Sequence, residues 1–426
     1  MAKRIGDKPI NSEVVTIEKL VNGGQGLARL NDGRVVFVWN ALPKETVGIR
    51  IIKRKKNYLE AVADHIIEPS PMRRTAKDTN FLDSSPWQIM TREAEAVAKI
   101  TIVQELISGT DLPEIKLRFH HSPKQWHYRN KMDYGFFGDD QGLHLALRRR
   151  GSHQKQIIEG SSLAMPAIDS GAHALISELS AAGLRASVLK GAVIRANQAN
   201  DVAISLFIKE NVPGYKFILP KGVRGLNVYY SDPKSPANQA TKRLLVLGNT
   251  VLHDNLFGFD FSYDPDTFFQ VNLGAFKAVL NRMKREIIGQ SLVDMYAGVG
   301  TIGISLAKSR LDLVEINSRA AILAKQNASG LKQARIHLAS SEDSLELIPS
   351  DRPVIFDPPR TGLHPKVIAA IRERRPPQII YLSCNPATLV RDMSLMSDLY
   401  LTKVIDLYNF FPKTPHIEAL AILRAL

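Results

Sequence analysis

Cys384 is the only cysteine in a chain of 426 residues. It stands in YLSCNPATLVRD, after an apolar run and directly before Asn-Pro. A single thiol forms no internal disulfide and cannot by itself build a thiolate metal site. Two readings remain: a small buried hydrophobe, or a nucleophile delivered to a ligand by the end of a strand. As a thiolate it can add to C6 of a pyrimidine ring. That addition makes C5 electron-rich enough to attack a sulfonium methyl group. A base must then take the C5 proton before the sulfur is expelled. Glu418, at the start of the last apolar strand in NFFPKTPHIEALAIL, is the leading base. His416, two positions earlier, is a second candidate for which a structural role is the stronger reading.

Three further strand ends carry chemistry. LVDMY runs into Ala297-Gly298-Val299-Gly300, LDLV into Glu315, and PVIF into Asp357-Pro358-Pro359-Arg360. Ligands of open α/β sheets bind outside the carboxyl ends of the strands, so these ends and Cys384 should converge on one crevice. The Gly298 turn lets backbone approach a ligand closely, and Glu315 can accept both hydroxyls of a ribose. Gly298, Gly300 and Gly303 form G-x-G-x-x-G, but Asp294 precedes them. An acidic residue facing the ligand there would repel a pyrophosphate and suit S-adenosylmethionine. The alternative is a tight turn with incidental glycines. The rigid Asp-Pro-Pro turn can present Asp357 to a substrate base. Arg360 occupies the place where amino-methylating enzymes carry an aromatic residue, which speaks against that chemistry.

The elements that must position these residues are legible in outline. From about residue 251, apolar strands, turns and helical segments alternate as βαβ units, which implies a mostly parallel, doubly wound sheet. Residues 12–68 read as short strands split by NGGQ, NDG and ALPKE, implying a small barrel. Its KRKKN run, Lys53 to Asn57, is either a solvated edge or a phosphate-tracking patch. Residues 69–90 have weak periodicity and read as irregular. Residues 91–108 read as a helix that Thr91 can cap. Between 117 and 250, WHYRNKMDYGFF and LALRRRGSHQKQ mix aromatic and cationic residues; this suits either RNA stacking or an ordinary β surface.

Lysine and arginine total 56 against 42 acidic residues, a formal charge of +14. That excess favours a polyanionic partner, with phosphate contacts supplying affinity. One cysteine argues for a reducing compartment. The N-terminus has no apolar signal region and the chain no apolar run of about 18 residues, so a cytoplasmic protein with no membrane segment is expected.

The set DMYAGVGTIGISLA, FDPPRTG, YLSCNPATLVRD and FFPKTPHIEALAIL resembles the RNA uracil-5-methyltransferases, which use S-adenosylmethionine. DTFFQVN is similar to the segment leading into their catalytic domain, YRNKMDYGF and LRRRGSH to their central domain, and residues 12–68 to a TRAM domain. The resemblance implies an α/β plus all-β chain: an OB-like TRAM barrel at 10–68, a mixed central RNA-binding domain at 69–90 and 117–250, and a Rossmann-like methyltransferase domain at 91–116 and 251–426. It implies Cys384 as nucleophile and Glu418 as proton acceptor. Gln270, Tyr296, Gly298, Thr301, Glu315 and Asp357 are implied as contacts of S-adenosylmethionine. The product would be 5-methyluridine in ribosomal RNA of the 23S type or in transfer RNA, with no obligate protein partner. Many members hold an iron–sulfur cluster on four cysteines near residues 69–90. One cysteine excludes that cluster here, and no metal is expected. ASSED, Ala339 to Asp343, offers Ser340, Ser341 or Asp343 where members have an adenine-contacting Asp. Cytosine-5 methylation is the rival chemistry, but that family uses a second cysteine. An RNA-binding protein with a relict site is the non-enzymatic rival; it is disfavoured because Cys384, Glu418, Asp357 and Glu315 are all present.

Overall fold

A computed structural model of the chain describes residues 13–150, 154–210, 212, 215–235 and 238–426. Residues 10–12 of the expected barrel and Gly151-Ser152-His153 of LRRRGSH lie outside the described residues. Chain contacts divide the molecule into two compact units. One comprises the chain through Glu105 with Arg149–Gln154 and Lys413–His416; the other comprises Leu106–Arg148, Lys155–Pro412 and Ile417–Leu426.

The first unit is built on six strands: β1 (Glu13–Thr16), β2 (Lys19–Leu20), β3 (Gly26–Arg29), β4 (Val35–Trp39), β5 (Thr46–Arg54) and β6 (Tyr58–Glu68), ordered β1-β5-β6-β4-β3-β2. Alternation along them buries Val15, Ala28, Val36, Val38, Val47 and Leu59 in one core. KRKKN falls at the tip of the β5–β6 hairpin, exposed throughout. The segment read as irregular holds a short helix α1 (Phe81–Ser84) and a 3-10 turn at Pro86–Ile89. Polar contacts order it. The Gln88 side chain accepts from Lys77 N at 2.9 Å and donates to Ser85 Oγ at 2.7 Å and Asp78 Oδ2 at 2.9 Å. Buried Trp87 donates to the Gly24 carbonyl at 2.9 Å. Helix α2 (Arg92–Ser108) starts as expected, with Thr91 Oγ1 accepting from Ala94 N.

The second unit contains two large sheets among its described residues. Strand β7 (Lys116–His120) belongs to the second of these; the first is built from β8 (Lys131–Asp139), β9 (Gly142–Arg148), β10 (Lys155–Ile157), β11 (Leu189–Ala196), β12 (Val202–Ile208), β13 (Val223–Tyr230) and β14 (Lys242–Gly248). Its order is β10-β9-β8-β11-β12-β13-β14, and helix α3 (Pro166–Ala181) covers one face. A hairpin of β15 (Leu252–Leu256) and β16 (Phe259–Tyr263) leads onward. The aromatic residues expected to stack on bases are mostly core: Tyr128, Tyr134 and Phe136 are buried, with Tyr134 OH bonded to Asp169. The ordinary β-surface reading therefore fits them better, because an alternating strand turns every second residue inward.

Apart from β7, the other sheet is formed by the chain after α4 (Leu273–Glu286). Its strands are β17 (Leu292–Asp294), β18 (Leu311–Glu315), β19 (Ala334–Leu338), β20 (Val354–Phe356), β21 (Gln378–Ser383), β22 (Tyr400–Leu401), β23 (Val404–Tyr408) and β24 (Glu418–Ala425). Helices α5 (Thr301–Leu306), α6 (Ser318–Asn327), α7 (Pro365–Arg374) and α8 (Pro386–Ser394) alternate with them. The order is β19-β18-β17-β20-β21-β24-β23-β7, parallel except around β24, with β22 paired beside it. This is the expected mostly parallel sheet. Helix α4 buries Phe276, Val279, Leu280 and Met283 against it, the spacing of one helical face. Among the described residues no helix is long and apolar enough to cross a membrane.

Candidate active site

Each turn at the carboxyl edge is set by a local stop signal. Gly300 takes φ +87° and caps α5; Asn317 caps α6, its side chain accepting from Ala320 N at 3.0 Å; Asn385 caps α8 by accepting from Ala387 N, with Pro386 at the first helical position. Glu315 and Cys384 therefore lie at strand ends, one or two residues before a helix cap. Asn385 also donates to the Arg360 carbonyl at 2.8 Å, fastening the Asp-Pro-Pro-Arg turn to the cysteine turn.

Gly298 has φ +57°, and the nearest atom to a Cβ placed there is the Phe268 carbonyl oxygen at 3.8 Å. The turn therefore presents bare backbone toward open space. Gly298 N donates to Glu315 Oε2 at 2.7 Å, and Asn317 N donates to Oε1 at 2.7 Å. These two bonds orient the carboxylate and leave each oxygen a lone pair for a ligand. Asp294 differs from expectation. It is fully buried beneath the turn, where Oδ2 accepts from Gly303 N at 3.0 Å. Burial pushes its carboxyl up to about 7. It shapes the turn from behind rather than facing a ligand, because its strand ends at Asp294 and the chain bends at Met295. Thr301 is buried at the first position of α5.

Gln270 is held from two sides. Its carbonyl accepts from Asn130 Nδ2 at 2.9 Å, and its Nε2 donates to Asp357 Oδ2 at 3.3 Å. Burial raises the Asp357 carboxyl, with Asp294 adding and Gln270 opposing. Tyr296 packs at 6.4 Å from the Phe356 ring. Of the residues offered for an adenine contact, Ser341 is spent on the Met295 carbonyl, whereas Ser340 bonds to Asp343 at 2.7 Å on the surface. Ile316, 70% exposed beside Glu315, adds an apolar side chain there.

Cys384 and Glu418 come together through sheet register. Ser383 pairs with Ala419 in the antiparallel β21–β24 ladder, and the next step of that register sets Cys384 opposite Glu418. Burial pushes the Cys384 thiol up to about 11, with Glu418 and Asp357 adding and Arg360 opposing. The buried Glu418 carboxyl is likewise raised, first by burial and then by Asp357, again opposed by Arg360. Two carboxyls and a thiol thus share one place with a single opposing cation. A positively charged sulfonium ligand would complement that set and draw each group toward its ionised form. His416 is half-buried, and its N donates to Thr414 Oγ1 at 3.3 Å.

Two residues escaped the sequence reading of roles. Phe268 is 62% exposed although Thr267, Phe269 and Gln270 around it are buried, so its ring is free to stack on a base. Arg360, read only as an argument against amino methylation, is the cation beside Cys384 and Glu418. An alternating hydrophobic pattern does not show which of two adjacent phenylalanines faces out.

Residues 345–425 match the family model for tRNA (uracil-5-)-methyltransferase, and residues 13–63 that for the TRAM domain. An uncharacterized RNA methyltransferase of Lactobacillus johnsonii is 30% identical over 94% of this chain and 95% of its own length. One from Fusobacterium nucleatum is 27% identical over 96% and 95%. The fold is also that of the Pyrococcus abyssi tRNA (uracil-54, C5)-methyltransferase solved with S-adenosyl-L-homocysteine, with a TM-score of 0.76 at 22% identity, covering 96% of this chain and 99% of that one. With a relative 30% identical along nearly its whole length and the tRNA (uracil-5-)-methyltransferase model matching its C-terminal part, the chain belongs to the family of RNA uracil-5-methyltransferases.

Proposed function

We propose that the protein methylates C5 of a uridine in structured RNA, using S-adenosylmethionine, through a covalent bond from Cys384. The observation that carries this is the placement of Cys384 near Glu418, one step beyond the last pair of the β21–β24 ladder, with Asp357 and Arg360 beside them. Gln270, Tyr296, Gly298, Thr301, Glu315 and Asp357 would hold S-adenosylmethionine, with Glu315 taking the ribose hydroxyls. When bound, that molecule supplies the methyl group. The uridine, rotated out of its stack, would rest against Phe268. The Cys384 thiolate adds to C6, and the electron pair of the C5–C6 double bond moves toward C5 and the C4 carbonyl. After C5 has been methylated, Glu418 takes the C5 proton, the double bond re-forms, and the C6–S bond breaks to return the thiolate.

The barrel at 10–68 and the segments at 69–90 and 117–250 would serve as RNA-docking domains around a catalytic domain at 91–116 and 251–426. The cytoplasm, where RNA, cofactor and a reduced thiol coexist, is the compartment. Ribosomal RNA of the 23S type is the first candidate substrate. Transfer RNA is the second, favoured by the descriptions of the matched family model and of the Pyrococcus abyssi neighbour. Mapping 5-methyluridine in both RNA classes from cells with and without the gene decides between them. Loss of the mark from neither class would remove the proposal.

Arg360 should act on the thiol's ionisation. Only the thiolate attacks, and a thiol held near 11 is mostly protonated at neutral pH, so the attack rate should rise with pH. Arg360→Ala removes the cation that favours the thiolate. The rising limb should then move to higher pH and the rate near neutrality fall by roughly tenfold or more. Arg360→Lys should recover part of the loss. Single-turnover rates across about pH 6.5 to 9 measure this; superimposable profiles would exclude the role.

A further inference from the structure

The seven-stranded sheet has two faces of opposite character. The face under α3 is apolar, with Ile194, Leu206 and Val228 in its core. Because side chains alternate along strands, register assembles the other face in rows. Asp133 pairs with Val193, Val193 with Ser205, Ser205 with Asn227 and Asn227 with Val246, crossing β8, β11, β12, β13 and β14. In the next row Phe207 pairs with Tyr229, their rings stacked at 5.6 Å. Polar side chains on the inner strands of a sheet are costly without a partner. Here they border a cavity of about 910 Å³, within the range of roughly 300–1,000 Å³ typical of ligand sites.

The opposite wall comes from Asp264–Asp266 and from Asn317–Arg319. Asp266 Oδ2 accepts from Asn227 Nδ2 at 3.0 Å and from Tyr229 OH at 2.6 Å. Asp264 holds Arg319 at 2.6 Å. Arg243, exposed on β14 at the rim, has no hydrogen-bond or ion-pair partner among the described residues. The cavity thus combines side-chain amides, a carboxylate and one free guanidinium above a floor in which Phe207 and Tyr229 are buried. A duplex backbone would call for a run of cations, and this rim has a single unengaged one. One nucleotide fits better: the amides of Asn238, Gln239 and Asn249 and the Asp266 carboxylate for a base edge, and arginine for one phosphate. A carboxylate accepts from amino groups, which favours adenine, guanine or cytosine over uracil. Asp266 lies four residues before Gln270, and Asn317 of the lining two residues after Glu315, so the cavity adjoins the proposed catalytic edge.

We infer that this cavity binds an unpaired, amino-bearing nucleotide of the RNA substrate, separate from the uridine that is methylated. The inference rests on the proposed RNA methylation, and its test keeps the two apart. The probe is end-labelled RNA extracted from cells lacking the gene, used with the full chain. Wild-type protein is first scored for 5-methyluridine formation on this RNA, which alone bears on the reaction. Arg243→Ala lies at an exposed position and should leave folding intact. It should weaken RNA affinity and raise the KM for RNA about tenfold, with kcat at saturating RNA unchanged. Independently, the photo-crosslinker p-benzoylphenylalanine in place of exposed Val246 should capture RNA. Excess unlabelled RNA should suppress that capture, and free AMP, GMP, CMP or UMP should not. Unchanged RNA affinity in R243A overturns the inference. So does an absent crosslink, or one chased by a free mononucleotide, which would mark a small-molecule site instead.

Discussion

Cys384→Ala should lose methyl transfer by on the order of 10⁴-fold or more while keeping its affinity for RNA and for S-adenosylmethionine. Cys384 is half-buried just past the end of β21. The α8 cap belongs to Asn385 and Pro386, not to the thiol. RNA containing 5-fluorouridine discriminates sharply, because fluorine cannot leave C5 as a proton. Wild-type protein should form a complex with it that survives denaturing gels, and the alanine variant should form none. A persistent complex in C384A would assign the nucleophile elsewhere, and the register argument would fail with it.

Glu418→Gln should separate bond formation from release. Glutamine matches the shape of glutamate at a site that is 3% exposed, so β24 should keep its pairing. The charge is what changes. The Glu418 carboxylate is the largest charged contribution holding the Cys384 thiol up, so its removal lowers that thiol toward its ordinary value. The signs then run oppositely for the two halves of the reaction. Attack on C6 should proceed at lower pH than in wild type. Loss of the C5 proton should slow by about 10²–10⁴-fold, the usual worth of a positioned base. Covalent adduct should therefore accumulate on ordinary uridine RNA, visible as a shifted band that decays slowly to product. Unchanged turnover in E418Q would take Glu418 out of the reaction.

The sequence carried the turns at the carboxyl edge of the sheet in detail because they are written in residues with little conformational choice. Gly298 and Gly300 adopt positive φ, Asn317 and Asn385 cap helices, and Pro358, Pro359 and Pro386 stop strands. What it could not show was direction. Asp294 reads identically whether it faces a ligand or the Gly303 amide behind the turn. Phe268 and Phe269 are adjacent and chemically identical, yet one is 62% exposed and the other stacked at 3.9 Å on Tyr263. The aromatic–basic mixture of 126–137 suited RNA stacking, but the strand phase turned Tyr134 and Phe136 into the core. The polar face behind Asp266 was invisible because it exists only once five strands are in register. Residues 69–90 looked structureless because Trp87 and Gln88 order them through contacts distant in sequence rather than through periodicity.

The central claim is C5 chemistry on uridine, and nucleoside analysis tests it most directly. The purified chain is incubated with RNA from cells lacking the gene and with methyl-labelled S-adenosylmethionine, and the RNA is digested and resolved by mass spectrometry. The account requires the label in 5-methyluridine, absent when C384A replaces the wild type. Label in 5-methylcytidine or in a methylated amino group, or no label despite bound cofactor, would contradict it.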